Sequence, residues 1–330
     1  MKDKKIGKII WLLLLLAGLV LTGLFLAGKK TAFFENIKFS TEKQKNPSSE
    51  KITANTKEPA RILFVGDMMF DRYVRQVSAK RGSDFVFAGV REMLSENDLV
   101  VGNLEGPITD NSSVSVNSEI GARDNYIFTF DSTVGADLWK NNIKLVNIGN
   151  NHILNFGEEG LSKTKENLKE SKIDFFGDPA GEKRLAVWEK NGTKLVFVSY
   201  NQFEKDAKSK TLADLEQAKK EKADWIVLYA HWGTEFVGQS EAKTKELAHG
   251  FIDSGADLVI GSHPHVVQNK EEYRGKLIYY SLGNFIFDQY FSPETQQGLA
   301  VQFEMNPQDK KIVAKEIPVS MKTSGQTILK

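Results

Sequence analysis

Short apolar runs that end in polar residues recur along the chain from Arg61 onward. Each run has the length and composition of a buried β-strand. Helical patterns separate several of the runs, and this alternation predicts an α/β domain with a largely parallel or mixed sheet. Residues 298–319 are typical of a β-hairpin. The predicted strands lie at 61–67, 98–107, 143–152, 194–201, 224–233, 257–266 and 276–285, and the predicted helices at 160–171, 212–222 and 240–254.

A run of twenty uncharged residues, IIWLLLLLAGLVLTGLFLAG at 9–28, stands apart from this alternation. A helix of that length spans about 30 Å, the thickness of a bilayer core. Four lysines precede the run and two follow it, which predicts a cytoplasmic N-terminus and an extracytoplasmic remainder. A cleaved signal peptide is the alternative, although the apolar region of such peptides is usually only about 7–15 residues long.

The segment that follows this run is polar. Residues 29–58 carry almost no large apolar side chain after Phe39, which favours a solvated linker. We therefore predict a cytoplasmic basic tail, a transmembrane anchor, a flexible linker, one folded domain and a C-terminal tail. Their limits are 1–8, 9–28, 29–58, 59–320 and 321–330.

The charge balance and the absence of cysteine narrow the chemistry. The chain has 44 basic and 43 acidic residues, a formal charge of +1, so no global field favours binding to nucleic acid. It has no cysteine, which excludes disulfides, thiolate metal sites and cysteine nucleophiles. Histidine, aspartate, glutamate and asparagine remain as candidate metal ligands.

Polar residues with metal-binding side chains stand at the ends of the predicted strands. Because the carboxyl ends of the strands form the site in such sheets, we expect these side chains to converge. Nitrogen and oxygen donors without sulfur favour one or two ions of Mn, Fe or Zn. The H-x-H pair around Pro264 offers two imidazoles from one stiff loop. The strand-end residues are Asp67, Asn103, Glu105, Asn150, Asn151, His152, His231, His263 and His265.

Structural roles are the alternative for each of these residues taken singly. His249, within the helical pattern ELAHGF, is expected to be no more than a hydrogen-bonded side chain. The chain has no GxxxxGK[ST] phosphate loop and no G-x-S-x-G elbow. Ser262 has no evident base and orienting partner, so a serine hydrolase is disfavoured. The joint placement at strand ends is what indicates a metal or catalytic site.

Six motifs follow one another in a fixed order within residues 60–320. They are VGDMMFDR (65–72), GNLEGPIT (102–109), NNHILNFGEEGL (150–161), HWGTEF (231–236), GSHPHVVQ (261–268) and YSLGNFIFDQ (280–289). Together they resemble the CapA-type proteins of poly-γ-glutamate capsule synthesis, a family related to calcineurin-like metallophosphatases. The resemblance implies a four-layer α/β/β/α metallophosphatase-like sandwich with a dinuclear metal centre.

The resemblance also implies roles for individual residues. Asp67 corresponds to a first-strand metal ligand and Glu105 to a bridging carboxylate. Asn151 corresponds to a further ligand, and His152 to the catalytic residue near the scissile group. His231, His263 and His265 complete the implied ligand set.

Two departures from the metallophosphatase pattern bear on activity. Met68 and Met69 follow Asp67, so the imidazole of the usual D-x-H start is missing. Asn155 stands where the family commonly has aspartate, which keeps a hydrogen bond to His152 and removes a charge.

Two further residues are candidates for substrate binding. Arg72 offers a guanidinium fork for an anionic group, with a structural ion pair as the alternative. Asn284, in SLGNF, is expected to reach the site from a late strand, with a turn role as the alternative.

The expected function is that of a single-pass protein of the bacterial cell membrane with an extracytoplasmic, metal-dependent hydrolase domain in capsule or envelope polymer synthesis. The expected partners are the membrane, an anionic polymer or phosphorylated substrate, and other membrane subunits of a polymer synthase or exporter; no nucleic acid is expected. Two alternatives stay open. One is a non-catalytic polymer-binding subunit, and the other is an extracytoplasmic phosphodiesterase unrelated to capsule.

Overall fold

Residues 57–330 of the computed structural model form two β-sheets that pack face to face, with helices on both outer faces. The predicted anchor, residues 9–28, and nearly all of the predicted linker lie outside the described residues. Among the helices in 57–330, none combines the length and the apolar character needed to cross a membrane.

The strands of the described region, in chain order, are β1 (Ala60–Met68), β2 (Leu99–Leu104), β3 (Ile143–Asn147), β4 (Asp174–Phe176), β5 (Leu185–Lys190), β6 (Thr193–Asn201), β7 (Trp225–His231), β8 (Leu258–Ser262), β9 (Lys270–Tyr273), β10 (Lys276–Tyr279), β11 (Asn284–Ile286), β12 (Gln297–Asn306), β13 (Lys311–Met321) and β14 (Thr327–Leu329). The helices are α1 (Arg72–Arg81), α2 (Arg91–Ser95), α3 (Thr133–Lys140), α4 (Gly157–Glu170), α5 (Ala207–Lys220) and α6 (Ala242–Asp253), with 3₁₀ turns at Ser83–Phe87 and Arg123–Tyr126.

The first sheet has the order β14-β13-β12-β1-β2-β3-β4, and β11 adds to β1. The second sheet has the order β5-β6-β7-β8-β10-β9. Parallel pairing joins β1 to β2 and β2 to β3, and in the second sheet it joins β6 to β7 and β7 to β8. These central strands are buried along almost their whole length, as parallel strands covered on both faces should be.

An apolar layer fills the space between the sheets. Phe64 and Val101 of the first sheet pack with Phe197, Tyr229 and Ile260 of the second. Burial of each such side chain contributes about 1.5–3 kcal/mol, so this layer is a major source of stability. The phenol of Tyr229 donates a hydrogen bond of 2.7 Å to the carbonyl of Val65, which satisfies its polar atom and ties the two sheets together.

Helices cover the outer face of each sheet. The helices α1 to α4 pack on the first sheet through residues such as Val74, Leu138 and Leu161. The helices α5 and α6 pack on the second sheet through Leu215 and Phe251. The layers therefore run helix, sheet, sheet, helix, and the predicted mixed α/β class with two sheets is confirmed.

Two glycines bring β11 against the end of β1. A Cβ on Gly66 would lie 1.8 Å from the carbonyl oxygen of Gly283, so only glycine permits the approach. Gly283 itself has φ +67°, in the left-handed region. The parallel register that results places Asn284 beside Asp67.

The prediction of one strand at 276–285 is wrong, because this stretch contributes to both sheets. Its first part is β10 of the second sheet, and its last two residues begin β11 of the first sheet. The left-handed backbone at Gly283 turns the chain between them. Similarly, Thr327–Leu329, within the predicted C-terminal tail, form an edge strand that pairs with β13.

Candidate metal centre

The predicted site residues come together at the carboxyl ends of strands from both sheets. Asp67 is on β1, Glu105 follows β2 directly, and His231 ends β7. His263 and His265 follow β8 on one loop. All five are buried, with at most 4% of the residue surface exposed. The predicted convergence of strand ends is therefore what the structure has.

Short distances link the carboxylates to the imidazoles. Nδ1 of His265 lies 3.5 Å from Oδ2 of Asp67, and its Nε2 lies 3.5 Å from Oε1 of Glu105. The backbone N–H of His263 donates to Oδ2 of Asp67 at 3.0 Å. Nε2 of His152 lies 3.9 Å from Oε1 of Glu105, so the predicted catalytic histidine faces the same centre.

Two groups of three side chains in residues 57–330 have the spacing of metal ligands. Asp67, Glu105 and His231 form one group, and Glu235, His263 and His265 form the other; within each, the ligand atoms lie within 4.8 Å of one another. Glu235 was missed as a ligand candidate. The signal that was available is the carboxylate four residues after His231 within HWGTEF.

The backbone of the H-x-H loop is held in an uncommon conformation. His263 has φ +95° and His265 has φ +57°, values that non-glycine residues rarely adopt. Such backbone persists where the surroundings fix it, and it is concentrated at functional sites. Pro264 contributes its carbonyl, which accepts a hydrogen bond of 2.8 Å from the backbone of Phe236.

Burial and neighbouring charges shift the two carboxyl groups in opposite directions. Burial tends to raise the pKa of Asp67, but hydrogen bonds from the His265 side chain and from the His263 backbone lower it to about 2. Burial raises the pKa of Glu105 well above its ordinary value, and the negative charge of Asp67 raises it further. A cation beside Glu105 would relieve both effects.

Burial favours the neutral form of three imidazoles, those of His263, His231 and His152. It lowers the pKa of His263 to about 3, with a further contribution from the charge of His265. It lowers the pKa of His231 well below the ordinary value and that of His152 to about 4. Neutral imidazole is the form that ligates metals.

Unpartnered polar atoms support a metal at this place. Oε1 of Glu105 and Nδ1 of His263 are buried and have no hydrogen-bond partner in the described part of the chain. Buried polar atoms are rarely left in this state unless an ion or water satisfies them. The donor set of imidazole and carboxylate suits Zn, Mn or Fe. The residues present therefore fit a divalent metal.

A chain of asparagine amides supports the ligand cluster and was not predicted to have that role. Nδ2 of Asn103 donates to Oδ1 of Asp67 at 2.8 Å and lies 3.2 Å from Nδ1 of His231. Oδ1 of Asn103 accepts from Asn147 and Asn150, each at 3.1 Å. Such an arrangement requires contacts between separate strands, which a single sequence does not reveal.

Two other predicted residues, Asn151 and Asn284, contact the cluster from its periphery, whereas Arg72 has other partners. Oδ1 of Asn151 lies 2.8 Å from Nε2 of His231, and Oδ1 of Asn284 lies 2.9 Å from Nδ1 of His265. Nη2 of Arg72 pairs with Asp288, and its Nη1 donates to Asn125 at 3.2 Å. Arg72 thus has the ion pair that was the alternative to substrate binding.

His152 is fixed by two neighbours. Its Nδ1 lies 3.2 Å from Oδ1 of Asn155, an oxygen that also accepts from the backbone N–H of Phe128. The ring of Phe128 lies 4.3 Å from the His152 ring, between centroids, and the Arg72 guanidinium lies 5.1 Å from the Phe128 centroid. Asn155 therefore has the contact with His152 that was predicted for it.

His249 lies outside the cluster. It pairs with Glu271 and stacks on Tyr273, with 3.8 Å between ring centroids. It is the structural histidine that was expected.

The fold and the site define a class: an α/β sandwich of two sheets with a buried carboxylate–histidine centre fitted for a divalent metal. The chain belongs to the family described as bacterial capsule synthesis protein PGA_cap, which matches residues 61–289.

Curated relatives bear related names. The chain is 30% identical over 294 residues to the PGA biosynthesis protein CapA of Bacillus subtilis, an alignment that covers 83% of this chain and 73% of that protein. It is 28% identical to the capsule biosynthesis protein CapA of Bacillus anthracis, covering 79% of this chain and 66% of that protein. A Mycobacterium tuberculosis protein named as a probable polyglutamine synthesis accessory protein is 27% identical over 43% of this chain and 44% of its own length.

Solved structures align more distantly. The NAD nucleotidase of Haemophilus influenzae aligns with a TM-score of 0.48 and 12% identity, over 83% of this chain and 54% of that one. The sulfate thiohydrolase SoxB of Thermus thermophilus aligns with a TM-score of 0.44 and 12% identity, over 78% of this chain and 56% of that one.

Proposed function

We propose that this protein is a membrane-anchored, extracytoplasmic, metal-dependent hydrolase that acts in the synthesis or export of a capsule polymer of the poly-γ-glutamate type. Membership of the capsule synthesis family supports the pathway. The observation that carries the hydrolase assignment is the pair of unpartnered buried atoms, Oε1 of Glu105 and Nδ1 of His263, inside a carboxylate–imidazole cluster.

The candidate ligands of a divalent Mn, Fe or Zn ion are Asp67, Glu105, Asn151, His231, His263 and His265. A divalent ion supplies Lewis-acid polarisation of a phosphoryl or amide-type oxygen. The metallophosphatase resemblance favours a phosphoryl group, and the pathway favours a γ-glutamyl amide.

His152 is positioned to exchange a proton with the substrate. Asn155 Oδ1 accepts the Nδ1 proton, since the same oxygen accepts from a backbone N–H and is thereby fixed as the acceptor. The lone pair of Nε2 then faces the centre beside Glu105. A proton is taken up at Nε2 and released to the leaving group from the same atom, the ordinary behaviour of a general base and acid.

A cleft beside the centre offers room for an extended substrate. It has a volume of about 390 Å³ and is lined by residues that include Arg72, Tyr126, Phe236 and Phe291. Phe236 and Phe291 are exposed, and their rings contact each other edge to face at 5.2 Å between centroids. Both Nη atoms of Arg72 already have partners. We therefore propose that Arg72 supports Phe128 and the wall of the cleft, and that it does not bind an anion directly.

Metal content tests the hydrolase assignment. The full-length protein, purified without chelators, is compared with a His263→Ala, His265→Ala variant by elemental analysis. We expect near-stoichiometric Mn, Fe or Zn in the wild type and its loss in the variant, with the same circular dichroism spectrum. Wild-type protein that holds no metal after reconstitution contradicts the proposal. The loaded protein is then assayed on phosphodiesters and on γ-glutamyl polymers.

Cysteine labelling tests the proposed topology. Because the native chain has no cysteine, a single introduced thiol is the only site that a maleimide can label. Ser209→Cys places one thiol at an exposed position on α5. A membrane-impermeant maleimide should label it in intact cells. Labelling only after lysis would place the domain on the cytoplasmic side.

A non-catalytic role in holding the polymer is the second candidate. The missing imidazole favours it: Met69, where the metallophosphatase pattern has histidine, is fully buried in the apolar core under the first sheet. His152→Ala separates the two functions. A polymer-binding subunit keeps its polymer yield in cells with this variant, whereas a hydrolase loses its effect on the polymer.

A further inference from the structure

The two groups of ligands are not equivalent, and the difference indicates how many ions the centre holds. The inner group is Asp67, Glu105 and His231, and the outer group is Glu235, His263 and His265. We infer that the protein binds a single ion at the outer group, with Glu235 as a ligand, and that the amide of Asn103 takes the place of a second ion at the inner group. This inference rests on the proposed metal-dependent function and specifies its centre.

Asn103 already satisfies the inner group. Its Nδ2 lies 2.8 Å from Oδ1 of Asp67, 3.4 Å from Oε2 of Glu105 and 3.2 Å from Nδ1 of His231. Nδ2 of Asn103, which carries two N–H bonds, is thus within contact distance of one polar atom of each of the three residues in the inner group.

The orientation of the Asn103 amide is fixed by a chain of donors that ends on backbone atoms. Asn150 donates to the carbonyl of Leu104 at 2.8 Å and to Oδ1 of Asn103 at 3.1 Å. Asn147 also donates to Oδ1 of Asn103, while its own oxygen accepts from Ser199 at 2.8 Å. A flipped Asn103 would present its NH₂ group to two donors. Its NH₂ group must consequently face the carboxylates.

His231 agrees with this orientation. Nδ1 of His231 lies 3.2 Å from Nδ2 of Asn103 and 3.0 Å from the Ser262 hydroxyl, and Nε2 lies 2.8 Å from Oδ1 of Asn151. Both ring nitrogens of His231 therefore have partners at hydrogen-bond distance without an ion. The remaining oxygen of Asp67 accepts the backbone N–H of His263, so Asp67 is likewise engaged.

The outer group, in contrast to the inner group, keeps polar atoms without hydrogen-bond partners. Asn284 donates to the carbonyl of Thr295 at 2.9 Å, which fixes its Oδ1 as the acceptor of the Nδ1 proton of His265. Nε2 of His265 is left with a free lone pair, 3.5 Å from the unpartnered Oε1 of Glu105. Nδ1 of His263, 4% exposed as a residue, is also unpartnered. On this side of the centre, Oε1 of Glu105 and Nδ1 of His263 therefore lack partners, and the Nε2 lone pair of His265 is free.

The loop that carries Glu235 is fixed on both sides of that residue. Gly233 exchanges two hydrogen bonds with the side chain of Gln202, at 2.7 and 2.8 Å. The backbone N–H of Phe236 donates to the carbonyl of Pro264, inside the H-x-H loop, at 2.8 Å. The backbone that carries the exposed Glu235 is thus fixed beside the H-x-H loop by contacts that do not depend on the metal, and its carboxylate lies within ligand spacing of the two imidazoles.

The ligand set that results has two imidazoles and two carboxylates, Glu105 and Glu235. Its two negative charges balance a divalent cation, and its nitrogen and oxygen donors suit Zn, Mn or Fe. The imidazole of the usual D-x-H start is missing from this chain. Glu235, from another strand end, would supply a donor in its place.

Isothermal titration of the metal-free, full-length protein with Mn²⁺ and Zn²⁺ tests the inference. We expect one ion per chain in the wild type. Glu235→Gln removes the charge and should weaken binding by at least about tenfold, the loss seen even for residues that only support a ligand. Glu246→Gln, an exposed glutamate on α6, is the matched control and should bind as the wild type does.

Electron paramagnetic resonance of the Mn-loaded wild type gives a second readout. An isolated ion shows resolved hyperfine lines, and a coupled pair shows exchange broadening. Two ions per chain, a coupled spectrum, or unchanged affinity in Glu235→Gln would overturn the inference and leave the hydrolase proposal standing. Wild-type protein that binds neither metal would overturn both.

Discussion

Asn284 accepts the Nδ1 proton of His265 at 2.9 Å, and this contact determines which nitrogen of His265 faces Glu105. The two residues are 19 positions apart and are brought together because β11 pairs with β1. Asn284 was predicted to contact substrate, with a turn role as the alternative; it lies fully buried behind the imidazole. Its position indicates that it orients a ligand.

Asn284→Ala should therefore weaken metal binding without removing a ligand. Loss of the acceptor frees the His265 ring to change its tautomer and orientation, and such changes commonly cost about 10- to 100-fold in affinity. Titration with Zn²⁺ measures the change. Asn306→Ala at the end of β12 is the control and should leave the affinity as it is. Equal affinity for all three proteins would contradict the orienting role.

Gly66→Ala should destabilise the domain strongly. The new Cβ would lie 1.8 Å from the Gly283 carbonyl oxygen. This oxygen belongs to the backbone, so no side-chain rotation can relieve the clash. Overpacking of this kind typically costs about 1–3 kcal/mol, and a backbone clash falls at the upper end or beyond. Urea denaturation measures the free energy of unfolding. Gly238→Ala, which meets nothing within 4 Å, should change it by less than about 0.5 kcal/mol.

Local pattern was enough to predict the convergence of Asp67, His231 and His263. Each follows an apolar run that predicts a strand. Because parallel strands present their carboxyl ends at one edge of a sheet, residues in these positions are expected to lie close together. The helices were predicted where apolar periodicity was clear, although α5 begins at Ala207 and not at 212. The class of fold and the composition of the site therefore follow from features within about ten residues of each other.

Contacts between distant segments were not predictable. Arg72 pairs with Asp288, 216 residues away, because α1 begins beside the segment after β11. Asn103 contacts Asp67 and His231 across two sheets, and no local pattern distinguishes it from any asparagine at a strand end. Glu235 faces the H-x-H loop through a backbone bond to Pro264 that has no sequence signature.

Asp224 should make stability depend on pH in the acid range. Burial acts to raise its pKa, but hydrogen bonds from Lys310 and Lys57, 2.8 and 2.7 Å from Oδ1, outweigh this and hold the pKa below the ordinary value of 3.8. A carboxyl group with a lower pKa in the folded state stabilises the fold above its unfolded pKa. The contribution is lost as the pH falls through the folded pKa.

The free energy of unfolding of the wild type should therefore exceed that of Asp224→Asn at pH 7, and the difference should shrink below about pH 4. Urea denaturation at pH 7, 5 and 3 measures it. Lys310→Met, which removes one of the two partners, should reproduce part of the loss at pH 7. A difference that stays constant down to pH 3 would show that the carboxylate charge is not the cause.

Asn155→Asp should raise the pKa of His152. Burial lowers that pKa to about 4, the hydrogen bond with Asn155 raises it somewhat, and the charge of His265 lowers it further. The aspartate keeps the acceptor atom 3.2 Å from Nδ1 in the native side chain and adds a negative charge that favours the imidazolium form. His152 would then hold a proton at a pH closer to neutrality, as a general acid must.

Titration of the histidine ring signals by NMR measures this pKa in both proteins. Asn155→Leu has a similar volume but no acceptor, so the ring should lose its fixed tautomer and its pKa should fall below that of the wild type. The Asp variant should also gain hydrolytic rate at mildly acidic pH if His152 donates the proton to the leaving group. A pKa of His152 that is equal in the Asp and Leu variants would mean that the residue at 155 neither orients nor tunes it.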